Sequence, residues 1–400
     1  MPEVIIIADD LTGAADCGIA FTEAGLPTVV AFGMEPVSKA ARVVAVDTDS
    51  RALSPEAAGE RAHGAALRAY GLSPRTVYRK IDSTLRGNVG TEVAATLRAA
   101  VEVHGRALVI VSPAFPGAGR TVRDGRVRVH GVPLEETEVW LESGRSGPAG
   151  PAEMLARAGL KVANVSRGEV RAGALPERDV EALVCDAETD EDLARIARAG
   201  AALPGEVVWA GSAGLARHLP AALGLRAAEP ATPAAPWAKG PVLALVGSRS
   251  SIAREQARHL LDEPGLEAFT LDPRMLAEGE RGAGWKQAEA GLQRALDAGR
   301  DVLLCIAAGE SAPAPLVAAA LGRLAAAQAG RIGGVIATGG DIARAVLVTM
   351  GASGMSLLGA VEPGVPLGLT DTPRALRAIV KAGAFGDAQT LNRCLAALKR

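Results

Sequence analysis

The run Val4-Ile5-Ile6-Ile7-Ala8, followed at once by Asp9-Asp10-Leu11-Thr12-Gly13, constrains the fold more than any other part of the chain. A continuous apolar stretch of this length fits a strand buried on both faces, and its end in two carboxylates, a Thr and a Gly reads as a βα turn. In open parallel sheets, ligands bind at such turns, outside the carboxyl ends of the strands. The sequence therefore predicts an α/β fold with Asp9 and Asp10 at a strand end. A helix should open at Thr12 and Gly13, run to about Glu23 and stop at Gly25. One carboxylate suffices to cap a helix. The second is left for another task, as a general base, an acceptor for a substrate hydroxyl or a metal ligand, and the pattern does not choose among these.

With 400 residues the chain is longer than one hydrophobic core usually serves, which predicts two domains. The best boundary is the Ala/Pro/Thr-rich stretch 221–240, giving domains at 1–225 and 241–400 joined by a linker at 226–240. A net charge of -2 and an aromatic content of 3% remove the electrostatic and the stacking case for nucleic acid. Cys17, Cys185, Cys305 and Cys394 are far apart and form neither a zinc pattern nor a CxxC motif, so they read as buried hydrophobes or thiols of a reducing compartment. Met-Pro-Glu carries no basic leader and no apolar stretch approaches a membrane span. A cytoplasmic protein is expected.

Along the chain, Thr28–Phe32 and Arg42–Asp47 are short β-rich runs that alternate with helical patterns, the mark of a parallel sheet. Asp49 and Arg51 then fall at a second strand end, or in an exposed polar loop. In Val77-Tyr78-Arg79-Lys80-Ile81-Asp82, period two would put Lys80 and Asp82 on one face of a strand. Ser83, Thr84, Arg86, Gly87 and Asn88 follow as a donor-rich loop suited to an oxyanion, since Arg grips a carboxylate bidentately and Gly lets the backbone approach. Farther on, a loop rich in Pro and Gly holds Arg120 and Thr121.

The second half restarts with the strand Pro241–Val246, then Gly247-Ser248-Arg249-Ser250-Ser251 and a helix from about Ile252 to Leu261. Strand, Gly/Ser turn and helix form a phosphate-binding layout, because N–H groups point at an anion where the helix begins. Gly334–Thr338 followed by Gly339-Gly340-Asp341-Ile342 repeats it more sharply. The paired glycines would let a phosphate lie against the backbone, and Asp341 would cap the helix or hold Mg²⁺ through water. Glu362–Gly368 reads as a tight turn before a strand at Ala378–Val380 and the segment Lys381-Ala382-Gly383-Ala384-Phe385-Gly386-Asp387. Neither GxxxxGK[ST] nor GxGxxG occurs, which excludes a Walker P-loop and a standard dinucleotide fold.

Taken together, Ala8-Asp9-Asp10-Leu11-Thr12-Gly13, Lys80-Ile81-Asp82-Ser83-Thr84-Leu85-Arg86-Gly87-Asn88, Pro113-Ala114-Phe115-Pro116, Gly211-Ser212-Ala213-Gly214-Leu215, Thr338-Gly339-Gly340-Asp341, Glu362-Pro363-Gly364-Val365-Pro366 and Lys381–Asp387 run in order over nearly the whole chain. In these motifs the chain resembles the four-carbon acid sugar kinase family, which includes D-threonate, D-erythronate and 3-oxo-tetronate 4-kinases. The resemblance implies two Rossmann-like domains with mainly parallel sheets and a cleft between them. The N-terminal domain would bind an acid sugar and the C-terminal domain ATP, with γ-phosphoryl transfer to the terminal hydroxyl. It implies ATP contacts at Ser248, at the turn Gly339, Gly340, Asp341 and Ile342, and at Gly383. The family often has Thr where this chain has Ile342, which removes one hydroxyl contact.

Phosphoryl transfer needs an oriented hydroxyl, charge neutralisation and in-line positioning. Asp10 or Asp82 is expected to orient or deprotonate the hydroxyl. Lys80 and Arg86 would hold the substrate carboxylate or the moving phosphate, with Mg²⁺ bridging ATP oxygens and no direct metal ligand named. Asp9, Asp49, Arg51, Ser83, Thr84 and Asn88 complete the substrate side. The rival from another class is a non-catalytic two-lobed acid-sugar-binding or sensor protein. The expected partners are therefore a small acid sugar and ATP, without nucleic acid or membrane. Which acid is used stays open, as does the oligomeric state, with a homo-oligomer as one option.

Overall fold

The structure is a computed structural model that describes residues 1–33, 41–142, 147, 149–173, 175–227, 237–247, 250–307 and 313–400. The chain divides into two compact units, Met1–Pro230 and Ala231–Arg400. Most of the linker expected at 226–240, from 228 to 236, lies outside the described residues.

The strands of the first unit are, in chain order, β1 (Val4–Ala8), β2 (Thr28–Ala31), β3 (Val43–Asp47), β4 (Thr76–Lys80), β5 (Ala107–Ser112), β6 (Arg120–Arg123), β7 (Arg126–Val129), β8 (Val132–Pro133), β9 (Val162–Val165), β10 (Ala182–Cys185) and β11 (Glu206–Gly211). Its helices are α1 (Leu11–Glu23), α2 (Pro55–Gly71), α3 (Val89–His104), α4 (Glu138–Glu142), α5 (Pro151–Arg157), α6 (Arg167–Ala172), α7 (Asp190–Ala201), α8 (Ala213–Ala216) and α9 (Leu219–Ala222). Eight strands form a parallel sheet in the order β2-β3-β1-β4-β11-β5-β10-β9. Every residue of β1 is at most 1% exposed, as a strand covered by helices on both faces requires. Burial of each such aliphatic side chain stabilises by about 1.5–3 kcal/mol. After β1 the chain builds β2 and β3 on one side and then crosses to β4 on the other. The crevice at the carboxyl end of β1 is therefore a topological switch point, where such sheets bind ligands. Residues 120–133 form a separate three-stranded antiparallel sheet, β6-β7-β8, joined to the main body by a bridge between Val122 and Ala187.

The second unit contains β12 (Val242–Val246), β13 (Leu266–Leu271), β14 (Asp301–Ile306), β15 (Gly334–Thr338), β16 (Gly354–Glu362), β17 (Val365–Thr370) and β18 (Arg377–Lys381). Its helices are α10 (Ser251–Leu260), α11 (Pro273–Glu278), α12 (Ala283–Asp297), α13 (Ala314–Ala326), α14 (Gly340–Thr349) and α15 (Thr390–Lys399). Strands β13-β14-β12-β15-β18 are parallel, and β17 and β16 extend them antiparallel. Here too the chain reverses direction across the sheet about its first strand, β12. On one face Val242, Ala244, Val246, Ile336 and Ile379 pack with Ala253 and Ala257 of α10 and Cys394 of α15.

Two local expectations change. Strand β4 stops at Lys80, and Ile81 N donates to Gly211 O at 2.8 Å, so Asp82 lies in the loop beyond the strand rather than on a face shared with Lys80. The segment Glu362–Gly368 is not an isolated turn but the tip and second arm of the β16–β17 hairpin, in which Pro363 and Gly364 make the reversal.

Candidate functional site

At the switch point of the first unit, three strand ends bring their loops together. After β1, Asp10 adopts an extended conformation and caps α1, its Oδ1 accepting from Gly13 N at 2.8 Å and its Oδ2 from Thr12 Oγ1 at 2.9 Å. After β3, Arg51 reaches across the crevice. Its Nε and Nη2 donate to Asp9 Oδ2 and Oδ1, each at 2.8 Å, its Nη1 donates to Asp10 Oδ2, and its Nη2 stands 3.9 Å from Asp82 Oδ1. One planar guanidinium thus ties two loops to a third. After β4, Asp82 accepts from Thr84 N at 3.1 Å, Thr84 Oγ1 at 2.5 Å, Arg86 N at 3.3 Å and Arg86 Nε at 3.0 Å on Oδ2, and from Arg86 Nη2 at 2.7 Å on Oδ1.

Sterics hold the loop in this form. Gly87 has φ +80, and a Cβ there would sit 2.6 Å from Asp9 Oδ2, so the position admits only glycine on both counts. Lys80, 5% exposed, lies against the first turn of α1. A Cβ placed on Gly13 would stand 3.1 Å from Lys80 Nζ and 2.6 Å from Asp10 Oδ1. Asn88 stands at the N-cap of α3 without a side-chain capping hydrogen bond, and its Nδ2 donates to Leu53 O at 3.0 Å. Beside the same loop opens a cavity of about 470 Å³ whose lining includes Gly87, Asn88, Thr91, Trp140, Met154 and Arg157. That volume suits a small ligand. Beneath the site, on the opposite face of β4, the fully buried Arg79 lies 2.6 Å from Glu92, which also accepts from Ser50 Oγ at 2.5 Å. The Arg79 contact is close but poorly aligned, so its N–H groups find no well-directed hydrogen bond among the described residues.

The electrostatics follow from burial set against these pairings. Burial pushes Asp82 upward, but Arg86 and then Arg51 outweigh it and hold the carboxyl well below the usual range. Burial also raises Asp9, and Arg51 more than reverses it. Arg51 is held well above its ordinary value, burial being overcome by Asp10, Asp9 and Asp82. For Glu92 burial wins over Arg79 and the carboxyl is raised.

Of the substrate-side residues named from sequence, Asp9, Asp10, Arg51, Lys80, Asp82, Thr84 and Arg86 come together here, and buried Ser83 lies within their loop. Asp49 does not join them. It is exposed, its φ of 49 turns the backbone, and its N donates to Asp47 Oδ1 at 2.8 Å. Two charged groups near the site were not assigned to it from sequence, Arg120 having been noted only for its loop. Arg120, at the start of β6, has its pKa lowered by burial, while the charges of Asp82 and Arg86 act on it in opposite senses. Asp16, half-buried on α1, makes no ion pair among the described residues, and burial pushes it up to about 6 against the pull of Lys80 and Arg217. The signal for Asp16 was a lone carboxylate within an otherwise Ala- and Gly-rich helix face.

In the second unit the arrangement rests on backbone. Gly339 is the cap of α14, with φ +101 and open space around its would-be Cβ apart from Ile342 Cδ1 at 3.7 Å. Asp341 is not the cap. It is exposed in the first turn, where a carboxylate favours the helix dipole. Ile342 is 6% exposed and packs toward Gly247, whose would-be Cβ lies 2.4 Å from Ile342 Cδ1, so this side chain sits between two glycine turns. Gly383 lies in the β18–α15 loop, and Ser248 lies outside the described residues. Among the described residues no group of three or more His, Cys, Asp or Glu side chains is arranged to hold a metal ion, and no helix is long and apolar enough to cross a membrane.

Comparison with known proteins agrees with this division. The family described as a sugar-binding N-terminal domain matches residues 4–219, and the one described as a nucleotide-binding C-terminal domain matches residues 243–391. A D-threonate kinase of Cupriavidus necator is 41% identical over 407 residues, covering 97% of this chain and 96% of its own. A D-erythronate kinase of Heliobacterium modesticaldum is 30% identical over 450 residues, covering 99% and 97%. Crystal structures of proteins from Salmonella typhimurium LT2 and Haemophilus influenzae share the fold, with TM-scores of 0.81 and 0.74 at 21% identity. They cover 98% of this chain in both cases, and 98% and 100% of theirs.

Proposed function

The chain belongs to the four-carbon acid sugar kinase family, and from that premise we propose that it transfers the γ-phosphoryl group of ATP to the terminal 4-hydroxyl of a four-carbon acid sugar. D-threonate is the first acid to try, because three relatives at 41, 34 and 33% identity are named for it. The observation that carries the reading is the crevice at the end of β1, where the carboxylates Asp9, Asp10 and Asp82 meet the cations Arg51, Lys80 and Arg86. Such a set suits a ligand with one carboxylate and several hydroxyls.

Counting acceptor sites divides the work between the two candidate carboxylates. Asp82 already receives five donor contacts from Thr84 and Arg86, whereas Asp10 receives three, from Gly13, Thr12 and Arg51. A carboxylate offers about four good acceptor directions, so Asp10 has room for a substrate hydroxyl and Asp82 serves to fix Arg86. In this assignment Asp10 orients the 4-hydroxyl and receives its proton as the oxygen attacks phosphorus. Lys80 and Arg86, with Arg120 beside them, hold the substrate carboxylate or the moving phosphoryl group. Glycine turns at Gly339 and Gly383 receive the nucleotide through backbone N–H groups. Mg²⁺, when bound, neutralises charge on the phosphate oxygens. With no carboxylate cage among the described residues, it fits as an ion carried by the nucleotide and its waters.

The test is a coupled ADP-release assay with ATP, Mg²⁺ and a panel of aldonic and 3-oxo acids. ADP release dependent on a four-carbon acid is expected. ATP and acid binding by calorimetry without turnover of any acid would instead favour a binding or sensor protein.

A further inference from the structure

The second unit contains one charged side chain that its packing does not explain. Lys381, the last residue of β18, is 0% exposed, and its Nζ donates to Ala382 O at 3.0 Å. No carboxylate pairs with it among the described residues. Glu362, the nearest acid in effect, is committed to Arg393 Nε at 2.6 Å and Thr390 Oγ1 at 2.5 Å. The other elements around Lys381 bring little charge. Helix α15 presents Cys394, the parallel neighbour β15 presents Thr338 in register, and α10 presents uncharged Gln256, Ala253 and Ala257. A buried ammonium without a counter-charge is costly, and a Met would fill the same space without that cost.

Three further details concern polar groups of the elements that carry Lys381 and the neighbouring loops. Parallel register puts the Thr338 and Lys381 side chains on one face of the sheet, and both Thr338 Oγ1 and Gln256 Oε1 are buried without a hydrogen-bond partner among the described residues. Gln256 Nε2 donates to Phe385 O at 3.0 Å and Asp387 O at 2.8 Å, fastening the loop that carries Gly383 from below. Gly339 N donates to Lys381 O at 2.8 Å, so the lysine's own backbone supports the glycine turn before α14.

We propose that the Lys381 ammonium is the buried counter-charge for the phosphate groups of the nucleotide, and that with Gln256 it positions the Gly339 turn and the Gly383 loop to receive them. This rests on the nucleotide reading of the second unit. The sign of the linkage follows. Burial pulls Lys381 down to about 8, with Cys394 and Glu362 opposing weakly. Near pH 8 part of the population is therefore neutral, and arrival of a polyanion raises the pKa and draws a proton from the buffer onto Nζ. Well below pH 8 the ammonium is already formed and no uptake remains.

The experiment is calorimetry of ATP with Mg²⁺ binding to the full chain at pH 8 and pH 6.5, in buffers of different ionisation enthalpy, with D-threonate titrated separately. The wild type is expected to take up a fraction of a proton at pH 8 and almost none at pH 6.5. Lys381→Met should weaken ATP binding by about 10²-fold, abolish the uptake and leave D-threonate binding unchanged. A wild type that binds ATP at pH 8 with no proton uptake overturns the proposal without recourse to any variant, as does a folded Lys381→Met chain with unaltered ATP affinity. A wild type that binds D-threonate but no ATP overturns the nucleotide reading itself, and this proposal with it.

Discussion

The two units share a sheet logic and differ in what they place at its carboxyl edge. In the first, the crevice is filled with side-chain charge: Arg51 joins Asp9 and Asp10 and approaches Asp82, and Arg86 grips Asp82 twice. In the second, the corresponding edge is built from turns, with Gly339 at φ +101 and the fully buried Lys381 set beneath the backbone. The difference teaches what each kind of ligand demands. A small acid with several hydroxyls must be read atom by atom, which takes many oriented donors and acceptors. If the second unit takes the nucleotide as proposed, a polyphosphate presents so much charge in one place that N–H groups and one cation would suffice.

Four substitutions can break or sharpen this contrast. The largest effect is expected for Asp10→Asn, which should lower kcat by about 10²–10⁴-fold while leaving KM for ATP near the wild-type value. Steady-state kinetics over both substrates decides it, and a near-normal kcat would remove Asp10 from the chemistry. Arg51→Ala comes next. Leaving Asp9 and Asp10 buried without their partner should cost about 3–5 kcal/mol in unfolding free energy and eliminate measurable acid binding, with Arg51→Lys failing to restore the bidentate contact. Denaturant melts with separate ligand titrations would show it, and ATP affinity should survive in whatever fraction remains folded. Gly339→Val carries the mirror-image expectation. A branched residue at φ +101 is strained by about 1–3 kcal/mol, and ATP affinity should fall about 10-fold or more while acid binding stays. Loss of acid binding with ATP binding intact would contradict the division between the units.

The smallest effect belongs to Asp16. Burial raises its folded pKa to about 6, above the ordinary aspartate range of about 4, so the ionised form is disfavoured by folding, and stability is lost as pH rises from about 4 to about 6. Asp16→Asn should therefore stabilise the protein by about 1–2 kcal/mol at pH 7 and by nothing below about pH 4. Thermal melts across that window measure it, and equal stabilisation at both ends would show that charge is not the cause.

How much of this was legible in the sequence depended on whether the cause was local. Asp9 and Asp10 could be placed because an apolar run ending in carboxylates already describes a strand end, and the Gly339-Gly340 turn because paired glycines before a helix are a local signal. That Arg51 ties two loops together was not visible, since it depends on β1 and β3 being neighbours. Asp82 was expected to share a strand face with Lys80, but the strand ends at Lys80, two residues short of Asp82, and Ile81 N donates to Gly211 O, a residue far along the chain. The strain at the second glycine turn falls on Gly339 and not on Gly340, a distinction that only backbone angles make. The β16–β17 hairpin was hidden because its tip, Pro363-Gly364, looks like any loop.

The position of β11 carries a consequence for the order in which this protein is made. Residues 206–211 pair with both β4 and β5, so a strand synthesised near the end of the first unit must slot between two that left the ribosome about a hundred residues earlier. Until it arrives, β4 and β5 present open hydrogen-bonding edges, Tyr78 lacks the Ser212 carbonyl that its hydroxyl meets at 2.6 Å, and the loop bearing Asp82 has no anchor at Gly211. A nascent chain that ends before residue 206 therefore contains Asp9, Asp10, Arg51, Lys80, Asp82 and Arg86 of the crevice but cannot yet hold them in place. The unit should fold late and slowly, as a sheet completed by its most distant contact.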